Sequence, residues 1–314
     1  MTAQLLDRLS VGALERAWRR VRSPGDPAPD LGLLLRDVRH GRYRPGRPYV
    51  RHLAKSGGGT RRLTVPAVRD RVLQRAVLDA LPASVRRMQQ GVHGYVRGRS
   101  VHTGIRHLLR AVGRRPWLEI VQIDVTNLFD ALEHARLLEA VRERWPDPVL
   151  TRLCHAWCRA YGDAGRGVGQ GGPLSPWLAN VYLDRHLDPA TAVAADAGWL
   201  RYGDDVTAVT AQPGGALCVF AALELACHAV GLAVSMRKVA VCAPPEGGVV
   251  RVLGYDLALE PRGRDWMLRC LRAGPQPWVE PGGHSRPALV RGGGMRYPPF
   301  PADLRPLARS EVAP

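Results

Sequence analysis

The most constraining feature of the sequence is a short acidic turn between two apolar runs. The stretch YGDD at residues 202–205 lies between the apolar residues 199–200 and the β-branched-rich stretch 206–210. Alternating β-branched residues around a glycine-containing turn predict a β-hairpin. An isolated Gly-Asp-Asp is usually an ordinary surface hairpin. Two adjacent carboxylates repel one another, however, and a bound cation offsets that repulsion, so this stretch also predicts a metal site.

A third carboxylate lies at the end of an apolar segment upstream. Residues 120–125 predict a buried strand with Asp124 near its carboxyl end. Beside a hairpin that carries Asp204 and Asp205, such a strand can gather two Mg²⁺ ions roughly 3.5–4 Å apart. One ion then activates an attacking hydroxyl and the other binds the leaving phosphates, so the pattern predicts phosphoryl transfer, with Mn²⁺ as an alternative ion.

A glycine-rich loop separates these two acidic segments. Residues 169–176 read GQGGPLSP and lead into a predicted helix at about 176–186. Glycines allow a backbone to approach a substrate closely. The loop is therefore a candidate for substrate contact.

Charge and composition indicate a polyanionic partner. The 314 residues include 45 Lys and Arg against 28 Asp and Glu, a formal charge of +17. Nucleic acid fits this excess best, although membrane binding and plain solubility produce the same composition. No apolar run approaches about 18 residues and no signal pattern begins the chain, so no membrane partner is expected. Six scattered cysteines favour no disulfide framework and indicate a cytoplasmic location.

Seven short motifs follow one another along about residues 40–258. They occupy residues 55–74, 94–100, 124–134, 169–183, 202–205, 231–238 and 252–255, and include DVTNLFD, GQGGPLSPWLANVYL, GLAVSMRK and VLGY. In this order they resemble the motifs of bacterial reverse transcriptases of the group II intron-like family. One such motif is weak evidence, whereas seven in the family's order are specific.

The resemblance implies an α+β fold of the right-hand polymerase type. Such a fold has fingers and a palm whose antiparallel sheet packs on helices, and we expect a thumb that is reduced or absent. We predict an N-terminal helical extension at 1–40, fingers at 41–115, and a palm at 116–258 that includes fingers-palm helices at 137–186.

The last segment departs from the family. Residues 259–314 are predicted to be a Pro/Gly/Arg-rich tail or a vestigial thumb, with helical character only at about 265–271. Group II intron proteins continue with a helical thumb, an RNA-binding region and often a nuclease, and none of these is visible. A partner protein or a dedicated non-coding RNA would then supply the thumb, or the copy is degenerate, or the basic tail itself holds RNA.

The resemblance also implies roles around the three aspartates. Lys55, Arg61 and Lys238 are implied to contact the triphosphate. Gln170 is implied to seat the base pair, and Phe129 to select the sugar. The carbonyl of Val125 is implied to lie near the second ion. Phe129 lies where the family carries an aromatic ring that collides with a 2′-hydroxyl and so favours dNTPs. Template or primer contacts are implied for Gly171, Arg97, Arg99, Tyr202, Leu253 and Gly254.

One departure and two structural interpretations accompany these roles. The chain has Val96-Arg97 where the family has Arg-Pro, so that contact would pass to Arg97 or Arg99. Asp130 is predicted to cap a helix that begins near Ala131, and His134 is predicted to be structural.

The function implied is RNA-directed DNA polymerase activity. The partners are an RNA template, a nucleic-acid primer and dNTPs, in a retroelement or in antiviral defence. Two alternatives stay open: an RNA-dependent RNA polymerase, and a non-catalytic RNA-binding relative that needs a partner.

Overall fold

The central element is a four-stranded antiparallel palm sheet with strand order β5-β6-β4-β7. In this computed structural model, the residues described are 4–54, 60–235 and 239–273. The palm strands are β4 (Glu119–Asp124), β5 (Gly198–Tyr202), β6 (Asp205–Thr210) and β7 (Ala240–Cys242). Every residue of β4 and β6 is buried, because both faces of the sheet are covered.

Helices cover one face of the palm sheet. They are α7 (His134–Arg144), α8 (Pro148–Tyr161), α9 (Ser175–His186), α10 (Asp188–Ala194) and α11 (Gly215–Ala229). Val121, Ile123, Val206 and Ala208 of the sheet share one buried apolar cluster with these helices. An antiparallel sheet packed on helices is the predicted α+β arrangement, and the prediction is confirmed.

Two buried carboxylates fix the starts of three helices. Glu119, the first residue of β4, accepts hydrogen bonds from the N–H groups of Gly214 and Ala216, both at 2.8 Å, and so caps α11. Asp147 accepts from the Leu150 N–H at 2.8 Å at the start of α8, and from the Leu5 N–H at 2.7 Å at the start of α1 (Leu5–Arg8). A negative charge at a helix N-terminus stabilises the helix.

A second sheet and one helix cover the other face of the palm sheet. The helix is α5 (Val101–Val112), and the sheet has the order β3-β10-β9-β8. Its strands are β3 (Arg114–Arg115), β8 (Gly248–Val252), β9 (Tyr255–Arg262) and β10 (Asp265–Ala273). Leu108, Leu200, Val252 and Leu257 belong to the buried cluster that joins these elements.

The helical character predicted at about 265–271 is wrong, because this segment is strand β10. It pairs antiparallel with β9, and Arg262 lies opposite Asp265 across a turn in which Gly263 has φ 69°. Leu268 is buried and Arg269 is exposed, as a strand with one covered face requires. The predicted domain boundary at 258 falls inside β9, and the tail from 274 onward lies outside the described residues.

The region predicted as fingers carries a hairpin and a helix. The hairpin consists of β1 (Tyr49–Ala54) and β2 (Thr60–Val65), and the helix is α4 (Val68–Ala80). In the part of the hairpin that is described, Tyr49, Val50 and Leu53 are exposed. Helices α2 (Val11–Val21) and α3 (Leu31–Arg39) follow α1 in the N-terminal segment, and α2 packs on α4.

A buried acidic group joins α4 to α8. Asp70 accepts hydrogen bonds from the hydroxyls of Tyr43 at 2.7 Å and Tyr161 at 2.9 Å, and from the Gly46 N–H at 2.7 Å. Trp157 donates its ring N–H to the Tyr43 hydroxyl at 2.9 Å. We call Asp70, Tyr43, Tyr161 and Trp157 the fingers carboxylate cluster.

Two interpretations of the segment after β4 have different outcomes. The capping role predicted for Asp130 is wrong, because Asp130 lies inside the short helix α6 (Leu128–Ala131) and the next helix, α7, begins at His134. The structural interpretation of His134 agrees with its contact, since its Nε2 lies 2.7 Å from the Gly167 carbonyl oxygen. Among the described helices, none combines the length and apolar character needed to cross a bilayer.

Candidate active site

Three aspartates meet at one end of the palm sheet. Asp124 is the last residue of β4, Asp205 is the first residue of β6, and the two are direct cross-strand partners. Asp204 precedes Asp205 in the turn, and carboxylate oxygens of all three lie within 4.8 Å of one another. Asp124 and Asp205 are buried and Asp204 is half-buried. Hard divalent cations prefer oxygen ligands, so this cluster can bind a divalent metal ion.

The predicted hairpin is confirmed, with a two-residue turn between β5 and β6. Tyr202 pairs with Asp205, which leaves Gly203 and Asp204 as the turn. Gly203 has φ 68°, in the left-handed region that short hairpin turns require. The Asp204 carbonyl oxygen accepts a hydrogen bond from the Val125 N–H at 2.9 Å, so the turn is fixed to the end of β4.

A buried arginine lies directly behind this turn, and the sequence interpretation missed it. Arg201 is fully buried and pairs with fully buried Asp188, with Nε–Oδ1 at 2.7 Å and Nη2–Oδ2 at 2.8 Å. Its Nη1 donates to Asn180 Oδ1 at 2.9 Å and to the Gly203 carbonyl at 3.2 Å. Asn180 in turn donates to the Gly94 carbonyl at 2.9 Å. We call Arg201, Asp188 and Asn180 the palm carboxylate cluster, after Asp188. It is separate from the cluster of Asp124, Asp204 and Asp205.

The electrostatics of the palm carboxylate cluster combine burial with charge pairing. Burial raises the pKa of the Asp188 carboxyl, and the adjacent Arg201 guanidinium opposes that rise. The available sequence signal was one arginine within an otherwise apolar strand, because a charged group in such a strand must find a partner.

An aromatic row lies beside the aspartates. The Tyr95 ring lies 6.3 Å from the Phe129 ring and 6.2 Å from the Tyr202 ring, measured between centroids. A Cβ placed on Gly203 would lie 3.3 Å from the Tyr95 ring. Phe129 is buried, and burial raises the pKa of the Tyr202 hydroxyl. Tyr95 therefore connects the predicted sugar-selecting residue to the hairpin that carries Asp204 and Asp205, and no sequence pattern singles it out.

The sequence matches the family described as "Reverse transcriptase (RNA-dependent DNA polymerase)" over residues 53–257. The chain belongs to the reverse transcriptase family. The resemblance predicted from the seven motifs is thereby confirmed.

Curated relatives are similar to this chain over about half of its length. Protein YkfC of Escherichia coli (strain K12) is 32% identical over 168 residues, which are 50% of this chain and 44% of YkfC. Group II intron-encoded protein LtrA of Lactococcus lactis subsp. cremoris is 28% identical over 159 residues, 48% of this chain and 26% of LtrA. Retron Mx65 reverse transcriptase of Myxococcus xanthus is 30% identical over 213 residues, 59% of this chain and 47% of that protein. Each match thus spans less than half of the relative.

Solved structures share the fold. An apo telomerase from Candida tropicalis, truncated from its C-terminal domain, superposes with a TM-score of 0.51 at 15% identity, covering 71% of this chain and 56% of that one. The telomerase from the same organism in complex with a TWJ fragment of telomeric RNA gives a TM-score of 0.51 at 14% identity, covering 70% of this chain and 46% of that one. The reverse transcriptase chain therefore has a polymerase fingers and palm fold.

The glycine-rich loop of this reverse transcriptase rests on the fingers hairpin. The Gln170 carbonyl accepts a hydrogen bond from the Thr64 N–H of β2 at 2.8 Å. Gly171 is exposed with φ 134°, and a Cβ there would lie 3.1 Å from the Thr64 carbonyl. Gln74 of α4 is buried and its side chain accepts from the Leu174 N–H at 3.4 Å, which attaches the loop to the fingers helix as well.

The predicted template and primer residues have different surroundings. Arg97 is exposed. The Arg99 guanidinium donates to the main-chain carbonyls of Met88, Gln89 and Val92 and so closes the loop before α5, while its template contact stays a prediction. The sequence could not anticipate this, since those carbonyls become available only when the loop folds back.

The remaining predicted residues lie at turns or outside the description. Leu253 is buried with φ 50° and Gly254 has φ 85°, and together they form the turn between β8 and β9. Arg61 is placed by its backbone, which pairs with Leu53. Lys55, Lys238 and the side chain of Arg61 lie outside the described part of the chain.

Proposed function

We propose that this chain is an RNA-directed DNA polymerase that adds dNTPs to a primer 3′-hydroxyl on an RNA template by two-metal phosphoryl transfer. The observation that carries the proposal is the meeting of Asp124, Asp204 and Asp205 in the palm of a reverse transcriptase fold.

The donor set fits Mg²⁺, with Mn²⁺ as a substitute, because all three side chains offer hard carboxylate oxygens. When bound, the metal lowers the pKa of the primer hydroxyl and stabilises charge on the departing pyrophosphate. Asp124, Asp204 and Asp205 would hold it, with the Val125 carbonyl adjacent.

The surrounding residues would bind and select the substrate. Lys55, Arg61 and Lys238 contact the triphosphate, and Gln170 seats the base pair against the template. Phe129 excludes a 2′-hydroxyl, and its burial against Tyr95 supports that role because a fixed ring cannot yield to the extra oxygen. Template or primer contacts are proposed for Arg97, Arg99, Gly171, Tyr202, Leu253 and Gly254.

The cell context is proposed from the cysteines and from the names of the relatives. The six cysteines all lie in the described part of the chain and are free thiols, which suits a reducing cytoplasm. The names of the intron-encoded and retron relatives favour a role in a retroelement over the antiviral role that the sequence left open. A protein partner or dedicated RNA would supply thumb contacts.

The central test is primer extension on poly(rA)/oligo(dT) with Mg²⁺ and dTTP. Asp204→Asn removes one charged metal ligand and should lower the rate by about a thousandfold or more, because metal-based charge stabilisation contributes several kcal/mol. RNA binding, measured by fluorescence anisotropy, should stay near the parent value.

The matched control is Asp163→Asn, since Asp163 is an exposed carboxylate outside the aspartate cluster. It should extend the primer at the parent rate. Extension by Asp204→Asn at the parent rate would show that the aspartate cluster is not the polymerase site.

A second test separates DNA synthesis from RNA synthesis. Phe129→Ala should increase the incorporation of rUTP relative to dTTP by about tenfold or more, because loss of a steric clash worth about 1.4 kcal/mol or more changes the ratio by that factor. The measurement is the ratio of kcat/KM values for the two nucleotides. A parent enzyme that already prefers rUTP would instead support the RNA polymerase alternative.

A further inference from the structure

The turn that carries Asp204 is held at both of its carbonyl oxygens. The Asp204 oxygen accepts from the Val125 N–H at 2.9 Å, and Val125 directly follows Asp124 in the chain. The Gly203 oxygen accepts from Arg201 Nη1 at 3.2 Å. One bond therefore ties the turn to β4, and the other ties it to a side chain behind the sheet.

That side chain has little freedom of its own. The Arg201 guanidinium is planar and presents its donors in a fixed fork. Two of its donors, Nε and Nη2, contact Asp188 on α10, and Nη1 contacts Asn180 on α9. A rotation that released Gly203 would break the ion pair, so the position of the turn is linked to two helices.

The same cluster presses a second segment against the turn. The main-chain N–H of Arg201 donates to the Gly91 carbonyl at 2.8 Å, and the main-chain N–H of His93 donates to the Arg201 carbonyl at 2.9 Å. Asn180 holds the Gly94 carbonyl, and a Cβ on Gly94 would lie only 2.5 Å from the Gly203 nitrogen. The turn therefore has no space to move toward residues 91–94.

Stability alone does not account for a fully buried ion pair at this place. Well-packed apolar residues of similar volume are often equally stabilising, because they avoid the cost of taking two charges out of water. An apolar pair, however, offers no donor to the Gly203 carbonyl. The charged pair therefore provides a directional contact to the turn that packing cannot replace.

We propose that Arg201, oriented by Asp188 and Asn180, is a positioning residue that sets where the Gly203-Asp204 turn lies and thereby brings Asp204 into the metal-binding cluster. The proposal rests on the metal-dependent function proposed above and concerns residues behind the ligands.

The test variant is Arg201→Lys, which keeps a positive charge beside Asp188 but replaces the fork with a single point charge. Mn²⁺ binding to the protein alone is measured by electron paramagnetic resonance, and primer extension is measured against Mg²⁺ concentration. The Mn²⁺ Kd and the Mg²⁺ concentration for half-maximal rate should both rise by about tenfold or more, as when partners behind metal ligands are lost. Thermal unfolding checks that the variant is folded.

The matched control is Arg144→Lys. Arg144 pairs with Asp184 of α9 and donates to the Arg87 carbonyl, but it does not contact the turn. Its Mn²⁺ Kd should stay near the parent value. Asn180→Ala, which keeps the ion pair and removes one contact of the fork, should raise the Mn²⁺ Kd in the same direction and serves if Arg201→Lys fails to fold.

Parent-like Mn²⁺ affinity in a folded Arg201→Lys protein, or in Asn180→Ala when that is the folded variant, would overturn the proposal. Equal weakening in Arg144→Lys would also overturn it. If the parent binds Mn²⁺ but extends no primer, the proposed function fails, while the Mn²⁺ affinities of the variants still decide the positioning role.

Discussion

Two buried carboxylates in this molecule are satisfied in different ways. Asp188, in the palm carboxylate cluster, faces the guanidinium of Arg201 in a two-point ion pair. Asp70, in the fingers carboxylate cluster, accepts hydrogen bonds from the neutral hydroxyls of Tyr43 and Tyr161. Both carboxylates have no solvent exposure.

The difference matches what each carboxylate holds in place. In the palm carboxylate cluster, Asp188 orients the Arg201 guanidinium, which also donates to the Gly203 carbonyl. The direction of the guanidinium therefore matters. The fingers carboxylate cluster joins α4 to α8, and Arg69 adds only a 3.6 Å contact from a partly exposed position. Several neutral donors can share that task, so the loss of one should be tolerated better than the loss of Arg201, the one arginine of the palm carboxylate cluster.

The largest expected effect is therefore on the palm side. Arg201→Met leaves Asp188 buried without its counter-charge and should lower the free energy of unfolding by about 3–5 kcal/mol. Urea unfolding followed by circular dichroism measures the change.

The double variant Arg201→Met/Asp188→Leu serves as the control, because it removes both charges. It should recover part of the lost stability, since no uncompensated charge remains. A single variant as stable as the double would show that charge compensation is not what distinguishes this cluster.

The next effect is on the fingers side and is smaller. Tyr161→Phe removes one of the donors to Asp70, while Tyr43 and the Gly46 N–H remain. The free energy of unfolding should fall by about 1.5 kcal/mol, the contribution of one hydrogen bond to a charged group. Tyr49→Phe, at an exposed tyrosine, should leave it unchanged in the same urea titration. If Tyr161→Phe lowered the free energy of unfolding as much as Arg201→Met, the two clusters would not differ in the proposed way.

The smallest effect is a pH dependence that the fingers carboxylate cluster should show and the palm carboxylate cluster should not. Burial and the nearby Asp70 charge raise the pKa of the Tyr161 hydroxyl above its ordinary value of 10.0. Above pH 10 the unfolded chain releases this proton while the folded chain keeps it, so the parent loses stability by up to about 1.4 kcal/mol per pH unit. Tyr161→Phe lacks this loss.

The difference in the free energy of unfolding between the parent and Tyr161→Phe should therefore shrink by about 1 kcal/mol between pH 10 and pH 11. Unfolding free energies at pH 7, 10 and 11 provide the comparison. The difference between parent and Arg201→Met should not narrow in the same way, because arginine keeps its proton throughout this range. Curves for Tyr161→Phe that stay parallel to the parent would contradict the raised pKa.

The parts of this protein that the sequence predicted well are those with local signals. The hairpin at 202–205 and the strand that ends in Asp124 are each recognisable from a short run of residues. Their meeting follows from the register of adjacent strands, in which Asp124 lies opposite Asp205. The aspartate cluster therefore follows from two local patterns and one strand pairing.

The parts that the sequence did not predict depend on contacts between distant segments. Arg201, Asp188 and Asn180 come from a strand and two different helices, and no spacing pattern connects them. Arg99 contacts main-chain carbonyls that come within its reach only when the loop folds back. The sequence of strand β10 resembles a weak helix because its apolar residues suit either period, and only pairing with β9 decides between them.

The hydrogen bond between the Thr64 N–H and the Gln170 carbonyl makes one backbone amide a natural reporter of contact between the fingers hairpin and the glycine-rich loop. This amide is the point where the fingers hairpin meets the glycine-rich loop, and Thr64 is buried there. Its proton can exchange with solvent deuterium only when the hairpin and the loop separate. The deuteration rate at Thr64 therefore records how often the hairpin and the loop separate, and the proposed polymerase function predicts that added dNTP slows this exchange without any attached label.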